Sequence, residues 1–74
     1  MTPKEHKEFI QKVSVLHQHY RVALRASKKD ESIVPYELVW GGLIGIEEVV
    51  KIAGFPVLSE ELASLRKRLS GGAV

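Results

Sequence analysis

From Lys4 to Lys28 the chain contains neither Gly nor Pro, and its apolar residues return at helical intervals. Thr2 stands where a helix cap belongs, Pro3 suits the first helical position, and Glu5, three residues after Thr2, completes a capping box. Phe9, Val13, Leu16, Tyr20 and Ala23 follow in alternating steps of four and three, and Ile10 and Leu24 widen the stripe. This pattern predicts one long amphipathic helix. Val15, Val22 and Ala26 form a second, narrower apolar strip on its far side. One strip belongs to a core; the other needs a second covering surface, and in a chain this short the economical one is another copy of itself.

So long a helix leaves little of the 74 residues for anything else, which implies a single helical domain over residues 1–74, with residues 70–74 as a frayed tail. With 45% hydrophobic and 27% charged residues, the composition is that of a globular protein rather than a disordered or collagenous one. The longest uncharged apolar run, Leu38 to Ile46, contains three glycines and falls well short of the ~20 residues a bilayer span requires. The amino terminus shows a capped, charged helix signal and no apolar signal-peptide core, so a cytoplasmic location is expected. The absence of cysteine agrees, and it removes disulfides, thiolate metal sites and cysteine nucleophiles together. A chain below ~80 residues with no such staple gains only a few kcal/mol from its own core, so self-association is expected.

Lys28 to Ser32 form a charged break, and Pro35 disfavours helical dihedrals at Val34, so a second element starts at Pro35 or just after it. Two readings compete for residues 33 to 54. In the first, a helix runs from Pro35 to Ala53 and is closed by Gly54, with Pro56 just beyond. In the second, Ile33 to Trp40 is a strand, Gly41 and Gly42 turn the chain, and a helix begins near Leu43. The helix is preferred, because a lone strand interrupted by Pro has no pairing partner in so short a chain. The third element has Ser59 as its cap, Glu60 and Glu61 in its first turn, and Leu62, Leu65 and Leu69 on one face. Arg66, Lys67 and Arg68 fill its last turn, with Gly71 as its stop. The expected fold is all-α: a small three-helix, oligomeric protein.

Three surfaces could carry function. Taking Leu38, Val39, Leu43, Ile46, Val49, Val50 and Ala53 as the core face of the second helix leaves Trp40, Ile44 and Ile52 on other sides. A helix apolar nearly all round is usually sandwiched. Gly41 and Gly45, four apart, form with Gly42 a groove in which another backbone can come close, either the first helix or a second copy. Each helical Gly costs ~1 kcal/mol relative to Ala, so a compensating contact is expected. Val15, Val22, Gly41, Gly45 and Ile52 are therefore the expected oligomer contact. Tyr36, Trp40 and Ile44 are expected anchors for a protein partner, although Trp40 reads equally well as the cap of the core.

The third surface is basic. His17, Arg21, Arg25 and Lys28, with Lys29 beside them, line one edge of the first helix and could meet phosphate groups of a nucleic acid or nucleotide. The plainer reading is a solvated flank with His17 partly packed beneath it. His17 and His19 point about 160° apart on a helix and cannot share an ion, so no metal or other cofactor is expected. Adjacent Glu47 and Glu48 diverge by about 100°, and no nucleophile, base and orienting group fall together, so no enzyme is expected. A phosphate loop lacks the Lys-Ser/Thr pair after its last Gly. A helix-turn-helix ending in Ser59 to Leu69 would place Glu60 and Glu61 at the head of its recognition helix. What remains is a non-enzymatic protein-interaction module, a regulator, inhibitor or adaptor acting as a homo-oligomer, with anion binding through the basic ribbon as the alternative.

Overall fold

A computed structural model describes residues 2–30 and 35–69 of the chain. They form three helices: α1 over Pro3–Lys29, α2 over Tyr36–Ile52 and α3 over Pro56–Leu69. Residues 36–40 are helical, so the strand reading fails there. Its first residues, Ile33 and Val34, the Gly71 stop and the 70–74 tail lie outside the described residues.

The capping box at the start of α1 is formed as the spacing predicts. The Thr2 hydroxyl accepts from the Glu5 backbone N–H at 3.2 Å, and the Glu5 carboxylate accepts from the Thr2 N–H at 3.3 Å. Pro35 holds extended dihedrals in front of α2, which then runs through all three glycines without interruption. The α2–α3 turn is a Schellman closure: Phe55 N–H donates to the Val50 carbonyl and Gly54 N–H to that of Lys51, both at 3.0 Å. Gly54 adopts φ +99°, the left-handed conformation that a Cβ would penalise.

Ser59 is not the cap of α3. The helix opens three residues earlier, because Pro56 fits a first helical position directly after the turn. Ser59 N–H donates to the Phe55 carbonyl as an ordinary helical residue, and its hydroxyl reaches across to the Glu47 carbonyl at 2.8 Å. Glu60 and Glu61 consequently fall past the first turn, while Arg66, Lys67 and Arg68 do occupy the last one.

The core is small. Leu24, Val39 and Leu43 form its centre, with Ala23, Tyr36, Trp40 and Leu69 packed around them. Val50 and Leu62 are also buried. Phe55, in the α2–α3 turn, stacks on Phe9 at 5.4 Å and meets the His6 ring edge-on, which ties the start of α1 to the turn.

Both longer helices are rotated relative to the expected core faces. On α1 the buried positions are His17, Leu24 and Ser27, whereas Leu16 and Tyr20 remain 46% and 37% exposed. On α2 they are Val39, Leu43, Glu47 and Val50, whereas Leu38, Val49 and Ala53 are exposed and Ile46 is half-buried. The reason is the position of α3. It lies on the Trp40 and Glu47 side of α2, and turning Glu47 inward to reach donors on both neighbouring helices turns Leu38 and Val49 outward.

The backbone spans 42 × 24 × 15 Å with a radius of gyration of 13.1 Å. A rounded domain of this length would have about 11 Å, so the three helices lie as a flattened, elongated body. No described helix is long and apolar enough to cross a membrane.

Candidate functional site

Two features could do more than hold the helices together: a buried polar cluster and an uncovered apolar face. The cluster takes one residue from each helix. His17 Nε2–H of α1 donates to Glu47 Oε2 of α2 at 3.0 Å. Arg66 Nε–H of α3 donates to both Glu47 oxygens, at 2.8 and 3.1 Å. The Arg66 guanidinium also lies 4.3 Å from the centre of the Trp40 ring, a cation–π contact that shields the pair from solvent. At the other end of His17, Arg21 Nη1–H donates to Nδ1 at 2.6 Å.

Those two bonds fix the tautomer. Nδ1 accepts and Nε2 donates, so the ring is a neutral imidazole linking a cation to an anion. Burial, above all, holds the His17 pKa below its ordinary value; the hydrogen bond to Glu47 opposes this, and the charges of Arg21 and Arg66 reinforce it. No described buried side-chain nitrogen or oxygen lacks a partner. His17 is 0% exposed and both its ring nitrogens are engaged, so it offers solvent neither an acid nor a base. Among the described residues no group of three or more His, Cys, Asp or Glu could hold a metal ion.

The apolar face lies on α1 and α2, on the side that α3 leaves open. Val13, Leu16, Gly42, Gly45, Ile46 and Val49 line one groove. A second, at the neighbouring end of the same face, is lined by His19, Tyr20, Ala23, Leu38 and Val39. On α2, Leu38, Val49 and Ile52 stand out most, at 72%, 56% and 82% exposure.

The three glycines divide by role. A Cβ on Gly42 would lie 2.3 Å from Cε2 of Tyr20, so this glycine is the close approach of α1 to α2. Gly41 and Gly45 have nothing within 4 Å of where a Cβ would stand. The helical cost of Gly42 is thus offset inside the molecule, and that of Gly41 and Gly45 is not.

Of the expected oligomer contact, Val15, Val22, Gly41, Gly45 and Ile52 are all exposed, with Gly45 on the floor of the α1–α2 groove. Val15 lines an adjoining hollow with Leu16 and His19, and Val22 stands farther round α1, away from the core stripe. The expected anchors separate. Tyr36 and Trp40 stack at 6.0 Å and close the core, half-buried, whereas Ile44 is exposed in a cleft with Glu48, Lys51 and Ala63. The basic ribbon is broken. His17 is sealed inside and offers an external anion no edge, and half-buried Arg21 commits one Nη1–H to it. Arg25, Lys28 and Lys29 stay exposed, and the Lys28 ammonium donates to the Leu69 carbonyl at the end of α3.

Glu47 and Arg66 were missed as interior residues. The signal for them was the interval: Glu47 continues Val39 and Leu43 in steps of four, and Arg66 stands four after Leu62. Comparison with protein-family models, curated proteins and solved structures finds no match to this chain.

Proposed function

We propose that this chain is a non-enzymatic protein-interaction module that works as a homo-oligomer, with the open α1–α2 face as its self-association surface. The observation that carries this reading is the pair Gly41 and Gly45. The most exposed apolar side chains of α2, Leu38, Val49 and Ile52, flank these two helix-weakening residues, and nothing lies within 4 Å of where a Cβ on either glycine would stand. The face also holds both knobs, Leu38, Val49 and Ile52, and notches, so it is suited to a copy of itself. A standard interface covers about 800 Å² per partner, roughly 15% of the 5263 Å² surface. Self-association through this face leaves the α2–α3 cleft around Ile44 free for a further protein partner.

Anion binding is less well supported, because the ribbon has lost His17 to the interior and half-buried Arg21 is turned onto its ring. Sedimentation equilibrium at micromolar concentration tests the reading. A mass at least twice the 8.3 kDa of the chain is expected, falling to the single-chain value in Leu38→Glu and Val49→Lys. A wild-type protein that sediments as a monomer throughout would remove its basis.

A further inference from the structure

Self-association by itself leaves the arrangement of the copies open, and the spacing of the exposed positions on α2 bears on it. Resting on that reading, we infer that two copies pair through α2 antiparallel, with the two-fold axis at Gly45. The outward seam of α2 is Leu38, Gly41, Gly45, Val49 and Ile52, in steps of three, four, four and three. These steps read the same in both directions about Gly45.

An antiparallel pairing about that residue makes each position face its mirror image. Leu38 then meets Ile52 of the partner subunit, the two most exposed apolar side chains covering each other. Val49 of one subunit enters the notch at Gly41 of the partner subunit, where 4 Å of space around the missing Cβ is free of other atoms. Gly45 packs on its own copy and lets the two backbones come close. A parallel pairing has the same residues but not the fit. It sets Val49 against Val49 and leaves an empty hole where Gly41 faces Gly41.

Charge points the same way. Glu37 and Lys51 flank the seam at its two ends on the side away from α1. The antiparallel arrangement brings Glu37 within two residues, about 3 Å along the axis, of the level of Lys51 of the partner subunit. The parallel one leaves Glu37 and Lys51 of the two subunits fourteen residues apart in level, about 21 Å along the axis, so the opposite charges do not meet. Opposed helix dipoles also favour the antiparallel form.

The chain has no cysteine, so introduced thiols report the arrangement cleanly. Leu38→Cys and Ile52→Cys are both at exposed positions and are expected to fold, which circular dichroism checks. Mixed in equal amounts under mild oxidation, the two variants should form the mixed disulfide in at least about tenfold excess over either symmetric one, because only facing sites bring Cα atoms to roughly 4.4–6.8 Å. Gly45→Leu should weaken the dimer about tenfold or more. Symmetric disulfides of Leu38→Cys in excess, on a protein that sediments as a dimer, would overturn the antiparallel arrangement and leave self-association standing. Equal yields of all three disulfides on such a dimer would overturn it as well. A monomer by sedimentation, with no disulfide above the level seen in denaturant, would overturn both.

Discussion

His17 is the residue through which this protein should sense acid. Its ring is held neutral between Arg21 and Glu47, and protonation would turn the Nδ1 acceptor into a donor facing a guanidinium, with Arg66 as a second cation nearby. The folded pKa lies below the unfolded value of about 6.5. The unfolded chain therefore binds more protons below that pH, and stability is complete above it and declines as pH falls from there toward the folded pKa. Urea midpoints measured from pH 8 down to pH 5 should show that decline, and His17→Gln should flatten it. The Gln amide can still donate to Glu47 and accept from Arg21, but it does not titrate. Glu47→Ala is expected to cost about 3 kcal/mol or more, since it strands Arg66 and the His17 N–H in the interior; loss of a cooperative thermal transition is the readout. Little of this cluster was legible in the sequence. The four-residue step from His17 to Arg21 is local and visible. The partners of Glu47, however, lie 30 and 19 residues away, and helical periodicity does not say which helix a given side will meet.

The elements themselves were largely legible, because the signals that start and stop them act within a few residues. Thr2, Pro3 and Glu5 open α1, Pro35 sets the start of α2, and Gly54 ends it through its left-handed turn. Ser59 misled for an equally local reason: it is a good capping residue, but Pro56 offered an earlier start and the hydroxyl found an acceptor on another helix. The glycines of α2 supply the test at this scale. Gly41→Ala and Gly45→Ala should each stabilise the dilute, single subunit by about 0.5–1 kcal/mol, since the new methyl meets open space and the helix gains propensity. Gly42→Ala should instead destabilise it by about 1 kcal/mol. The overpacking against Tyr20 exceeds the propensity gain. Denaturant titrations of the three variants at low protein concentration separate the two classes.

On the scale of the whole molecule, five buried apolar side chains, Leu24, Val39, Leu43, Val50 and Leu62, form the fully enclosed part of the described core. That is little for a chain without disulfides, and a second copy on the open face would add to it. If association and folding are linked in this way, the thermal midpoint of the wild-type protein should rise with its concentration, and that of Leu38→Glu should stay constant. Differential scanning calorimetry over a hundredfold concentration range is the measurement. Across its short axis the backbone measures only 15 Å, room for two packed helix layers and no third. Such a thin plate has no deep layer to insulate its two broad sides. Tyr20 shows the consequence: the same ring that presses on Gly42 also borders the open groove beside Leu38, so whatever settles there touches the helix junction directly.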